Sequence, residues 1–409
     1  MNDDMAHTAP TGPLAGLRVF DLTRVLAGPT CAQMLGDLGA EVIKIEKPGG
    51  GDDTRGFAPP FVPGSKESAY FVGVNRNKQS VTLDIAQPEG QALARQLIGH
   101  CDILVENFKV GALHKYGLGY EDLRAEFPGL IYCSITGFGQ TGPYAPRPGY
   151  DSLIQAMGGV MSLTGEPDGL PQKVGVPVAD LFAGLYGCIG ILAALRHKER
   201  TGQGQQIDIG MLDTHVAWLA NQGMNFLATG ENPARLGNQH PNIVPYQVFA
   251  TADGHVVLSI GNDPTFRRFC AAFGLDHLPD DENFATNAAR VRNRQLVTDT
   301  LAPVLRQHPT TWWVERLEAE KIGCGPINKL SEVFDDPQVR FRDMVVDLPH
   351  DAAEGGRVKV IANPVRLSET PVDYRISPPR LGEHTEAVLG RLLGLGASEL
   401  AALREQGIV

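Results

Sequence analysis

Leu17-Arg18-Val19-Phe20-Asp21-Leu22, the segment 29–38, and Glu41-Val42-Ile43-Lys44-Ile45-Glu46 together decide the fold. The first is a short apolar run of strand length, the second fits a helix with Pro29 in its first turn, and the third alternates as a second strand. Together they make a βαβ unit. Working outward, strands are expected at 80–84, 103–106 and 131–136, with helices at 88–98 and 120–127. Such alternation predicts an α/β fold with a parallel or mixed sheet covered by helices. After the first strand, Thr23-Arg24-Val25-Leu26-Ala27-Gly28-Pro29 holds one glycine where a dinucleotide fingerprint needs three, which argues against a Rossmann cofactor. A Gly-Pro at a helix start still leaves backbone amides that can face an anion.

A second stretch carries the chemistry. Lys173-Val174-Gly175-Val176-Pro177-Val178-Ala179 reads as extended, Asp180 follows, residues 181–195 are uncharged and mostly apolar, and Arg196-His197-Lys198-Glu199-Arg200 closes the segment. An acid at the start and cations at the end match the charges a helix macrodipole favours. Asp180 is expected at or near a helix N-terminus, either as a cap or as an ionised carboxylate beside a water-poor cavity, where it could act as a nucleophile. Gly184, Gly187 and Gly190 recur at every third residue, so one face can admit another backbone or a flat ligand.

The chain has 409 residues, 43% of them hydrophobic, which suits two or three domains with full-size cores. A net charge of -11 and the lack of a basic block interleaved with aromatics exclude a nucleic-acid function. Residues 1–13 have no apolar core and read as a disordered lead-in, neither a signal nor a transit peptide. The 181–195 run falls short of the roughly 18–20 residues a spanning helix needs, so a cytoplasmic protein without membrane partners is expected. The six cysteines and eleven histidines show no metal-ligand spacing, and no metal site is expected.

From about Asp208 the pattern changes. A long helical stretch is expected at 209–227, broken by Thr229-Gly230-Glu231-Asn232-Pro233, and a polar loop at 235–242 precedes a hairpin turning at Asp253-Gly254. Helices are expected over 263–321 and strands again at 356–367. The domain reading is a large-domain part at 12–200, a smaller α+β domain at 225–330 inserted into the larger one, and a linker and return at 331–409.

At this point the chain resembles the family III CoA-transferases, the group that includes formyl-CoA transferase and carnitine CoA-transferase. The matching stretches include Gly36-Asp37-Leu38-Gly39-Ala40-Glu41, Gly51-Asp52-Asp53-Thr54-Arg55, Asn75-Arg76-Asn77-Lys78, Val105-Glu106-Asn107-Phe108, Gly149-Tyr150-Asp151, Ala179-Asp180 and Leu381-Gly382-Glu383-His384-Thr385. Leu22 to Pro29, Tyr132 to Gly137 and Ile243 to Gln247 look most like the succinyl-CoA:glutarate branch. The resemblance implies a large Rossmann-like domain with a smaller α+β domain, in a homodimer of interlocked ring-like chains. Coenzyme A enters as an acyl-CoA substrate, and Asp180 becomes the nucleophile that forms first an acyl anhydride and then a CoA thioester.

Family contacts to CoA carry over to Leu26 and Ala27, Lys47, Leu83, Asp84, Ile85 and Ala86. They also carry over to Asn107, Phe108 and Lys109, Lys115, and Tyr150 with Asp151. The loop Gly237-Asn238-Gln239-His240 stands where oxalate-specific members have a glycine-rich loop, so Gly237, Asn238 and His240 are expected at the acceptor acid. Arg24, Arg76 and Arg147 are candidates for gripping its distal carboxylate. Leu26 replaces the glutamine of those oxalate-specific members, which argues against formyl-CoA and oxalate chemistry. Tyr150 stands where the family's α-methylacyl-CoA racemases have a histidine, and a phenol is too weak an acid to replace imidazole. Transfer from a dicarboxyl-CoA donor to a second carboxylic acid is the leading reading. A racemase-like isomerase and a non-catalytic acyl-CoA-binding protein are the alternatives.

Overall fold

Six strands, β1 (Arg18–Asp21), β2 (Glu41–Glu46), β3 (Lys78–Thr82), β4 (Ile103–Glu106), β5 (Ile131–Thr136) and β6 (Gln206–Gly210), form one sheet in the order β3-β2-β1-β4-β5-β6. Every pairing in it is parallel. The coordinates are a computed structural model that describes residues 11–409. Of the expected disordered lead-in, residues 1–10 lie outside the described residues. Strand order reverses between β1 and β4, and in open parallel sheets such a reversal opens a crevice beyond the carboxyl ends of the strands.

Alternate side chains build two cores, as a two-residue strand period demands. Val19, Val42, Ile103, Val105, Ile131 and Cys133 face one side, where the helices Ala27–Asp37 and Val178–Thr201 cover them. Phe20, Ile43, Ile45, Leu104 and Tyr132 face the other, against the helices Pro88–Ile98 and Thr385–Leu393. All six residues of β5 are buried, the signature of a strand covered on both faces.

The helix Val178–Thr201 corrects the expectation of a short apolar run. It has 24 residues and holds an 18-residue window of mean hydropathy 1.9, long and apolar enough to cross a membrane, and half of that window is buried in the fold. Its glycine face explains how it packs. A Cβ on Gly184 would stand 2.5 Å from the Ala27 carbonyl oxygen, one on Gly187 3.1 Å from Ile135 Cδ1, and one on Gly190 2.9 Å from Ile207 Cγ2. The close partner on that face is the neighbouring helix and sheet. The segment 173–177 forms no strand, and the stretch expected as one helix at 209–227 is instead β6 followed by the helices Met211–Ala217 and Ala220–Thr229. Gln206 to Ile209 alternate exposed and half-buried residues as an edge strand on β5, a signal masked by the apolar residues that follow.

The chain divides into two units, one of residues up to 158 with 174–218 and 340–409, the other of 159–173 and 219–339. The first also holds an antiparallel hairpin of Val345–Pro349 and Arg357–Ile361. Its C-terminal segment is tied down by Asp37, which accepts from Arg76 Nε (2.9 Å) and Nη2 (2.6 Å), from Asn77 Nδ2 (2.8 Å) and from Asn363 Nδ2 (3.1 Å). In the second unit β7 (Tyr246–Ala250), β8 (His255–Ser259) and β9 (Gly323–Pro326) form an antiparallel sheet in that order. Its first turn carries Asp253-Gly254 as expected, and Phe249, Val256, Phe266, Phe269 and Trp313 fill the core above it.

Candidate active site

Pro177, not Asp180, is the N-cap of the helix Val178–Thr201, and Asp180 sits in the first turn as its acidic residue. The carboxylate is therefore free of capping duty. That duty falls to Asp151, whose Oδ1 accepts from Ala179 N (3.0 Å) while Gln155 Nε2 donates to its Oδ2 (2.8 Å). Gln155 in turn accepts from Val174 N (2.9 Å), so the segment leading into Asp180 is held at two points. Burial, and after it the charge of Asp151, push the Asp180 carboxyl up to about 7. It is poised between forms near neutrality, which revises the expectation of a fully ionised group. A carboxylate stripped of water is also a stronger nucleophile than a solvated one.

Two further groups frame Asp180. The start of the helix Ala27–Asp37 lies against Gly184, one turn along from Asp180. No side chain caps that start, and its first N–H groups have no partner inside the helix, so they are available to a developing oxyanion. Tyr70 feels both carboxylates: burial raises its phenol first, and Asp180 and Asp151 raise it further. Its ring meets Phe57 edge to face at 5.7 Å.

Beyond the carboxyl ends of β1, β2, β3 and β4 opens a cleft of 510 Å³ lined by Arg24, Lys47, Leu83, Asp84, Ile85, Ala86, Phe108 and Tyr116, among others. The structure thus brings together Arg24, Lys47, Leu83 to Ala86 and Phe108, all marked in the sequence. Arg24, Lys44 and Lys47 line it together with Glu46, Asp52, Asp53 and Asp84, the Phe108 and Tyr116 rings offer faces to a flat base, and the size fits a small-molecule site. Arg24 lies 5.3 Å above the Phe108 ring and bridges to Asp53 at 3.1 Å. Leu26 and Ala27 are buried and are not among the cleft's lining, and Lys109, Lys115 and Tyr150 are exposed.

The Asn107 side chain is bound within the protein. Its Oδ1 accepts from Arg24 N (2.9 Å) and its Nδ2 donates to Arg24 O (2.7 Å), so the amide is engaged with the loop after β1. Arg76 is a correction. It is buried, donates to both oxygens of Asp37 and to Ile361 O, and is not free to hold a substrate acid. Arg147 is exposed, with its guanidinium 3.9 Å from the Tyr144 ring centre.

Gly237, Asn238 and His240 belong to the second unit. Gly237 and Asn238 are exposed in a turn, and His240 is half-buried and stacked on Tyr246 at 5.2 Å. Asn242 N donates to His240 Nδ1 (3.1 Å), which leaves Nε2 to carry the proton of the neutral ring. Burial first, then the charge of Arg294, hold this imidazole below its ordinary value.

The family model for CoA-transferase family III matches residues 14–385. The chain belongs to CoA-transferase family III. A succinate–glutarate CoA-transferase of Agrobacterium fabrum is 49% identical over 95% of this chain and 97% of its own. The succinyl-CoA:glutarate CoA-transferase of Homo sapiens is 41% identical over 97% of this chain and 90% of its own. A solved CAIB/BAIF family protein from Brucella suis is 47% identical with a TM-score of 0.82, covering 93% of this chain and 100% of that one. Family III enzymes use CoA thioesters as substrates, and this member is a CoA-transferase acting between carboxylic acids. Among its described residues, no cluster of three or more His, Cys, Asp or Glu is placed to hold a metal ion.

Sequence reasoning missed Lys44, Asp52 and Tyr70. A lysine in the middle of the apolar strand Val42 to Ile45 was a visible signal for the first, since a buried charge needs a partner. Asp52 stood in a quoted motif without a role. Tyr70 carried no sequence signal, because its position depends on how a short helix docks.

Proposed function

We propose that this enzyme moves CoA from a dicarboxyl-CoA donor such as succinyl-CoA to a second dicarboxylic acid through covalent intermediates on Asp180. The supporting observation is a dehydrated carboxyl, raised to about 7, one helical turn from an uncapped helix start. Asp180 attacks the donor thioester carbonyl and the C–S bond breaks, giving an aspartyl-acyl anhydride and CoA thiolate. The thiolate then attacks the Asp180 acyl carbon, releasing the donor acid and leaving an aspartyl-CoA thioester. The acceptor carboxylate attacks that thioester, forming a second anhydride. CoA thiolate resolves it at the acceptor's carbonyl, giving acceptor-CoA and free Asp180.

An anhydride is activated enough to be opened by thiolate without ATP, whereas a serine ester would be too stable towards a carboxylate. Water must be excluded while it exists. Arg24, Lys47 and Phe108 hold the nucleotide end of CoA in this reading. The names of the relatives favour succinate and glutarate as acids. The resemblance also carries a homodimer, and Leu185, Ile189 and Leu192 form an exposed apolar row for it on the helix that bears Asp180.

The test is trapping. Incubation with succinyl-CoA followed by hydroxylamine or borohydride should leave a mass change on Asp180 alone. Asp180→Ala should lose at least about a thousandfold in exchange while still binding the CoA ester. Equal turnover in that variant would refute the mechanism, and solvent deuterium entering the α-carbon without any acceptor would mark an isomerase.

A further inference from the structure

Val25 has φ 70°, a left-handed conformation that a β-branched residue adopts only under constraint. It sits between β1 and the helix Ala27–Asp37, two residues before the backbone that meets Gly184. Something must hold it. Val25 N donates to Asp52 Oδ1 at 3.2 Å, and Lys44 Nζ donates to Thr23 O at 2.8 Å. Lys44 and Asp52 are bound to each other at 2.8 Å, and both side chains are fully buried. Asp52 is itself fixed by Thr54, whose N (3.0 Å) and Oγ1 (2.8 Å) donate to it, and its own N–H donates to Glu46. One ion pair thus grips the loop at the carbonyl of Thr23 and at the amide of the strained residue itself.

We infer that Lys44 and Asp52 are positioning residues for catalysis, holding Val25 left-handed so that the start of the helix Ala27–Asp37 faces the reacting carbonyl at Asp180. This rests on the transferase reading above. A buried ion pair is weak evidence of stabilisation, since apolar residues of similar volume usually serve as well, so its role is sought in conformation. Burial would push the Lys44 ammonium down, but Asp21, Asp52 and Glu46 around it hold it above its ordinary value, so the pair stays charged. Asn107, just past the end of β4, grips the intervening residue, Arg24, so the loop is held from β2 on one side and from the end of β4 on the other.

The experiment compares Asp52→Ala with Asp52→Ala/Val25→Gly in the full-length enzyme, because glycine takes a left-handed φ without a clamp. Asp52→Ala should lower kcat about a hundredfold, the scale of one lost oxyanion donor, with KM for succinyl-CoA changed less than about threefold. The double variant should recover at least about tenfold in kcat on the same principle. Where Asp52→Ala does not fold, Lys44→Met with and without Val25→Gly is read in the same way. Should neither single variant fold, the Val25→Gly doubles decide: soluble protein with kcat near the recovered level supports the clamp, and soluble or insoluble protein without it overturns it. An unchanged kcat, a loss confined to KM, or no recovery with glycine also overturns the inference. A wild-type enzyme that exchanges CoA with no acid would refute the transferase reading instead.

Discussion

At the scale of single residues, Asp180 is the group on which activity turns, and its environment fixes a pH dependence. Its carboxyl is raised to about 7 by burial and by Asp151, and only the anion attacks a thioester. The rate of anhydride formation should therefore rise through pH 7 with a midpoint near that value, read by rapid-quench trapping between pH 5.5 and 8.5, a range wide enough to bracket about 7. A flat profile would mean that another step or group governs the rate. The same shift acts on stability. A carboxyl whose folded value lies above its unfolded one stabilises the fold at low pH, and that contribution is lost as pH rises through about 7. Asp180→Asn should consequently raise the melting temperature more at pH 8 than at pH 5, a difference thermal scans at the two values, on either side of about 7, would measure.

At the scale of elements, the packing of the helix Val178–Thr201 on the helix Ala27–Asp37 decides where Asp180 stands. Gly184 lets the two backbones meet, and a Cβ there would stand 2.5 Å from the Ala27 carbonyl, which cannot move without shifting its helix. Gly184→Ala should cost about 1–3 kcal/mol in denaturant unfolding and lower kcat as well. Gly190→Ala, which meets the Ile207 Cγ2 methyl at 2.9 Å and no backbone atom, should cost less on both counts. The glycine spacing was legible in the sequence, but not its partner. A period of three says that a face is bare, and only the docked helices say what fills it. The strand β6 was hidden for a related reason: Gln206 to Ile209 gains its identity from pairing with β5, far away in the chain.

At the scale of the whole molecule, the exposed row of Leu185, Ile189 and Leu192 bears on assembly. Ile189 is 59% exposed on a helix whose other face packs in the core, and with Leu185 and Leu192 it makes an exposed apolar row at helical spacing, the kind of patch that serves as a contact surface. The proposed homodimer predicts that Ile189→Lys lowers the mass in sedimentation or light scattering from two chains to one, with secondary structure by circular dichroism kept. An unchanged mass would remove this row from the proposed interface.

The sequence by itself determined the α/β class, the βαβ beginning, the helix starting near Asp180 and the family, because these depend on local periodicity, on charges at helix ends and on short ordered motifs. Only the tertiary structure decided that Asp151 relieves Asp180 of capping, that Asn107 and Arg76 hold the protein's own backbone and carboxylate, and that Lys44 and Asp52 meet at Val25. Those outcomes depend on which donor reaches which acceptor between residues remote along the chain, and on how much water is lost when they meet. Neither quantity is carried by residue spacing.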